Sequence, residues 1–151
     1  MLSSTKSRFA GKKLYLVISV VFFINQLLAQ APDTMWTRTF GGDLQEIGNS
    51  VKETYDGGFI ITGSSQSFSL AEDIYIVKTN FIGDTLWTKA YFSESYNSDR
   101  GYCIIQTVDS GYIITGSSNA FRQIGQPSDL LLMKINNLGD TLWCNTYGGD
   151  S

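Results

Sequence analysis

The chain repeats itself, and that periodicity limits its fold more than any other property. Asp33–Phe40 (DTMWTRTF) returns as Asp84–Tyr91 (DTLWTKAY) and again as Asp140–Tyr147 (DTLWCNTY), at offsets of 51 and then 56 residues. Between these copies, Asp56–Ser65 (DGGFIITGSS) reappears as Asp109–Ser118 (DSGYIITGSS), and Asp73–Lys78 (DIYIVK) as Asp129–Lys134 (DLLLMK). The blocks keep their order, so the mature sequence divides into a first repeat over 33–83, a second over 84–139 and the start of a third over 140–151.

Each block reads as a β-strand. A strand over Gly48–Thr54 (Gly101–Thr107) meets one over Phe59–Ser64 (Tyr112–Ser117) through a turn containing Asp56 and Gly57, or Asp109, Ser110 and Gly111. Asp-Gly between apolar runs predicts a hairpin, because glycine accepts the positive φ of such turns. The DIYIVK strand and the following Trp-bearing strand join as tightly through residues 80–83 or 136–139. Ile74 and Ile76 face one way and Tyr75 and Val77 the other, so this strand needs cover on both sides.

The predicted class is all-β: four-stranded antiparallel blades in a β-propeller-like, incomplete array of about two blades plus an extra strand at 33–40. A β-sandwich and an open solenoid are the rival arrangements. A closed ring needs at least about four blades, so the chain is expected to be truncated at its C-terminus. The early Trp-bearing strand suggests a ring closed by one terminus completing a blade from the other.

Length changes locate the permissive surface. Trp36 to Asp56 spans 20 residues and Trp87 to Asp109 spans 22; Thr62 to Asp73 spans 11 and Thr115 to Asp129 spans 14. The hairpin turns do not vary. Strand parity therefore puts all variation on one face, at about residues 41–47, 65–72, 92–100 and 118–128, where recognition is expected.

The N-terminus has a different purpose. Lys6, Arg8, Lys12 and Lys13 precede an apolar run from Leu14 to Ile24, and Ala29 and Ala31 follow. This order is that of a secretory signal, and the run is short for a spanning helix. Residues 1–29 are read as a signal peptide cleaved after Ala29, leaving 30–151 as the repeat region without a stable transmembrane helix; cleavage after Ala31 and an uncleaved anchor are the alternatives. That segment holds 4 of the 11 basic residues and none of the 14 acidic ones, leaving a net charge of −7. Such a balance argues against nucleic acid.

Histidine is absent, which removes His-based triads and His metal sites. Cys103 and Cys144 lack metal-ligand spacing; they read as unpaired small residues, with a disulfide left open. Asp33, Asp84, Asp140, Asp56, Asp109, Asp73 and Asp129 recur with the repeat and read as structural, since turns and strand starts use Asp to bond nearby amides. Trp36, Trp87 and Trp143 read as packing between sheets, and Gly58 and Gly111 as further structural repeat positions. The non-repeated Asp43, Glu46, Glu72, Glu94 and Asp99 are the candidate ligand or catalytic acids, and Tyr96 and Phe121 beside Arg100 and Arg122 a candidate contact surface. No catalytic residue, metal or cofactor is assigned.

The DTLWTK, DGGFIITGS, DIYIVKTN and GDTLW pattern over residues 33–151 resembles the tandem repeats of large secreted and surface proteins of Bacteroidota type, many ending in a type IX secretion sorting domain. Some proteins of that kind are labelled endoglucanase or quinoprotein-like, others lectin-like. The resemblance brings no agreed catalytic residues. The expectation is a non-catalytic exported or cell-surface scaffold, associated with the outer membrane or secreted, binding a glycan or an extracellular protein through its variable loops. The alternative is a secreted carbohydrate-active enzyme or a quinoprotein-like propeller whose active site lies outside this sequence.

Overall fold

The computed structural model describes residues 33–91, 98–119 and 128–148; residues 1–29, expected to be a signal peptide, lie outside them. From Trp36 onward the chain forms a compact unit of eight strands: β1 (Glu46–Glu53), β2 (Phe59–Ser65), β3 (Asp73–Thr79), β4 (Thr85–Tyr91), β5 (Asp99–Gln106), β6 (Tyr112–Ser118), β7 (Asp129–Ile135) and β8 (Thr141–Tyr147). They make two four-stranded antiparallel sheets, ordered β1-β2-β3-β4 and β5-β6-β7-β8. Among the described residues there is no helix, and none is long and apolar enough to cross a membrane. No closed propeller is seen.

Each sheet spans a repeat boundary, because its fourth strand is the Trp-bearing block that opens the next repeat. The leading copy of that block behaves differently from expectation. Trp36–Phe40 is not a ladder strand: a strand exists only through backbone pairing with a neighbour, and no described strand pairs with this one. It nevertheless packs as its counterparts do. Trp36 meets Phe59 with ring centroids 6.0 Å apart, as Trp87 meets Tyr112 at 6.3 Å. Arg38 pairs with Asp84, and Lys89 with Asp140, across the same junction one repeat later.

Register explains the TGSS signature. β1 and β5 each carry a bulge, between Gly48 and Ser50 and between Gly101 and Cys103. The bulge drives a carbonyl toward the facing strand. A Cβ on Gly63 would lie 1.8 Å from Ile47 O, and one on Gly116 1.9 Å from Arg100 O, so only glycine fits there. The bulged Asn49 then reaches the second sheet, donating from Nδ2 to Gly101 O at 2.8 Å.

The core lies between the sheets. Ile60, Ile74 and Ile76 of the first, flanked by Trp87 and Tyr91, pack on Ile104, Tyr112, Ile114, Leu131, Met133 and Ile135 of the second. Every residue of β3 is buried, as its two-sided apolarity requires. β7 departs from that expectation: Leu130 is 54% exposed although its repeat counterpart Ile74 is 1% exposed. Two sheets give only one shared interface, and Leu130 points away from it.

The turns refine a second expectation. Gly57 has φ of 75°, but in the second repeat Ser110, not a glycine, takes the left-handed conformation, at 64°. Gly111 and Gly58 serve close approach instead: a Cβ on Gly58 would lie 2.1 Å from Thr79 O, and one on Gly111 2.5 Å from Ile135 O. Cys103 and Cys144 are free and exposed. They stand on the two outer strands of one sheet, three strand spacings or roughly 14 Å apart, beyond the reach of a disulfide.

Candidate functional site: the loop face

Antiparallel order places the β1–β2, β3–β4, β5–β6 and β7–β8 turns at one end of the sheets and the β2–β3 and β6–β7 loops at the other. The length differences between repeats therefore collect at the latter end. It is built around two carboxylates.

Glu46 opens β1 and fastens two loops together. Its Oε1 accepts hydrogen bonds from Ser65 Oγ at 3.0 Å, from Ser67 Oγ and from Gly42 N at 3.2 Å. Ser67 Oγ also accepts from Leu44 N at 2.9 Å, and Gln66 N donates to Gln45 O at 2.9 Å. The Ser67 hydroxyl, followed by the Gly42 amide, holds the Glu46 carboxyl below its ordinary pKa. The Gly41-Gly42 pair is thereby explained: a Cβ on Gly41 would meet Glu46 Oε2 at 2.3 Å, and one on Gly42 the Ser67 Cβ at 2.6 Å.

Glu72, at the end of the β2–β3 loop, is buried and ties the first sheet to the second. Its Oε2 accepts from Arg100 Nε at 2.7 Å and pairs with Nη2, Ser64 Oγ donates to its Oε1, and its backbone O accepts from Asp99 N at 2.7 Å. The guanidinium beside it lowers the Glu72 pKa, and the same contact raises that of Arg100. Of the sequence candidates, then, Glu72, Asp99 and Arg100 are brought together, while Glu46 is engaged with Gly42, with Ser65 at the end of β2 and with Ser67 of the β2–β3 loop, and Asp43 is exposed beside it. Glu94, Tyr96, Phe121 and Arg122 lie outside the described residues.

Asp73 follows Glu72 and is 1% exposed; burial raises its pKa, and its Oδ2 has no hydrogen-bond partner among the described residues. Asp129 occupies the same position in β7 and is less buried. Among the described residues no group of three or more Cys, Asp or Glu side chains is placed to hold a metal ion. The described carboxylates that converge here do so on hydroxyls, amides and a guanidinium, an arrangement that orders loops.

Sequence reasoning missed the apolar residues of this face. Leu44 is 64% exposed and Leu70 82%, and Phe68 stacks on Tyr75 with centroids 5.1 Å apart and planes at 30°. The signal was available in part, since Phe68 stands where the second repeat has Phe121, four residues after the first serine of the same Ser-Ser pair, whereas Leu70 aligns with Gln123. The opposite end also carries exposed apolar side chains, Tyr55 and Phe81 among them, but on turns of constant length.

That opposite end holds the second pair of residues overlooked in the sequence, Lys78 and Lys134. Lys78 Nζ donates to Asp56 Oδ2 at 2.9 Å and to Thr79 O at 2.9 Å, while Asp56 Oδ1 accepts from Thr54 Oγ1 and Gly58 N. Lys134, Asp109, Thr107 and Gly111 repeat this arrangement. Its recurrence in both repeats marks it as part of the scaffold. Compared with known proteins, the chain matches no family model and no curated relative.

Proposed function

We propose that this chain is a non-catalytic exported or cell-surface repeat scaffold that binds an extracellular protein or a glycan through its loop face. The reading is carried by the contrast between the two ends of the sheets. Turns at one end reproduce the same Thr-Asp-Lys contacts in each repeat, whereas the loop end combines variable length with Leu44, Phe68 and Leu70 held outward on loops pinned by Glu46 and Glu72. Exposed aromatic and aliphatic side chains on ordered loops supply contact area at low entropic cost. The export pattern of residues 1–29 and the resemblance to secreted repeat proteins support the same address.

The test is a panel of immobilised glycans and extracellular matrix proteins probed with the chain, with β-glucans also assayed for reducing-end release. Binding is expected to be lost in Phe68→Ala and Leu70→Ser and retained in the turn variant Phe81→Ser. Binding that survives both loop substitutions, or turnover of a β-glucan, overturns this function.

A further inference from the structure

The two outer faces of this pair of sheets are the same two faces that meet inside it. The first sheet contacts the second through Ile60, Thr62, Ile74 and Ile76, with Trp87 and Tyr91 on its β4 edge. In the second sheet the repeat-equivalent residues Ile113, Thr115, Leu130, Leu132, Trp143 and Tyr147 look outward. Their exposure records the missing cover: Ile74 is 1% exposed and Leu130 54%, and Trp143 is 40% exposed.

The other end is the mating surface. Ile104 and Ile114, which receive the first sheet, are each fully buried, yet Val51, the counterpart of Ile104, is 58% exposed, and Ile61, the counterpart of Ile114, only half-buried. Where Thr62 Oγ1 and Ile74 Cγ2 press on Gly101, at 2.3 and 3.3 Å from a built Cβ, the equivalent Gly48 meets only its own sheet's Ile61 at 4.0 Å. A groove of about 620 Å³ lies there, lined by Trp36, Phe40, Gly48, Val51, Phe59 and Ile61 among others. It stands where the facing strands of another sheet would fit.

We infer that these faces form a heterologous docking pair, and that a second copy of this chain covers the outer face of β5–β8 with its own β1–β3 face. The established inter-sheet interface continues across the junction: Trp143 of one copy takes the seat beside Gly83 of the next, as Trp87 sits beside Gly139 within the chain. Trp36–Phe40 now occupies that seat and must leave it. It lies there without ladder pairing, through the Trp36–Phe59 contact, the exposed Arg38–Asp84 ion pair and the groove that Thr39 and Phe40 line with Tyr75 and Val77, and docking displaces it. Unlike faces that meet head to tail propagate rather than close on themselves as a twofold dimer would. The inference stands on sheet faces, not on the loop face, and is independent of the function proposed above.

Sedimentation of the chain from Gln30, which contains the whole compact unit Trp36–Ser151, tests it. The wild-type chain is expected to form oligomers that lengthen with concentration. Leu130→Lys blocks one face and Val51→Lys the other; both positions are exposed in the monomer, so folding is retained and circular dichroism checks it. Each variant alone should be monomeric, and their mixture should give a 1:1 dimer. A wild-type chain that is monomeric throughout its soluble range, a variant that dimerises alone, or a mixture that does not associate overturns the inference. Asn145 stands where Arg38 and Lys89 supply the cation for Asp84 and Asp140. Asn145→Lys in the Val51→Lys chain should therefore tighten the mixed dimer by about two- to fivefold, and no change would count against this seating.

Discussion

Lys78, buried at the end of β3, reaches Asp56 in the neighbouring hairpin turn at 2.9 Å, so a charge from one strand sets the turn between two others. The ammonium also caps the Thr79 carbonyl. Lys78→Met keeps the apolar stem but leaves that buried carbonyl without its donor. A loss of about 1–3 kcal/mol is expected, measured by urea unfolding. A smaller loss in Lys78→Arg would show that the charge, rather than the stem, matters.

Acid should loosen the same turns. The Thr54 hydroxyl, with Lys78 next, holds the Asp56 carboxyl down to about 2, and Lys134 holds Asp109 lower still. A carboxyl whose folded pKa lies below its unfolded one contributes stability above the ordinary carboxylate pKa and loses it as pH falls through the folded value. Asp73 has the opposite sign, because burial raises its pKa and its contribution is lost as pH rises. Stability is thus expected to fall between about pH 4 and 2, and to fall less steeply in Asp56→Asn. Equal slopes for both chains would refute the assignment.

Ser110 holds a left-handed φ of 64° that its repeat counterpart Gly57 adopts without strain. Ser110→Gly should raise the melting temperature, by the equivalent of about 1 kcal/mol. Gly57→Ala should lower it by a similar amount, although nothing lies within 4 Å of its built Cβ. A loss there is therefore conformational, not steric.

Glu72 and Arg100 join the two sheets at the loop end. A double-mutant cycle with Glu72→Gln and Arg100→Gln is expected to give a coupling of about 1 kcal/mol, reduced from the upper range because the Arg100 side chain is 48% exposed. Additive effects would mean that the pair contributes nothing to holding the sheets together.

Much of the scaffold was legible because a repeat is a local property written more than once. Glycine-marked turns, apolar alternation and the doubled blocks implied four-stranded sheets, and β1 to β8 follow those blocks to within a residue or two. The candidate site was read only in part. Glu72, Asp99 and Arg100 are distant in their roles along the chain until the β2–β3 loop folds against β5, and no spacing rule joins them. Phe68 was legible as the repeat counterpart of Phe121, but Leu70 has no apolar counterpart, and only its 82% exposure marks it.

By itself, the order of residues determined strand identity, hairpin connections and which face carries the variation, since these depend on neighbours within a few residues. Tertiary structure alone decided which copies of an identical block are covered. Trp36, Trp87 and Trp143 share a motif but differ in surroundings, because burial depends on what lies across an interface, and a repeated sequence is silent about which neighbour it has.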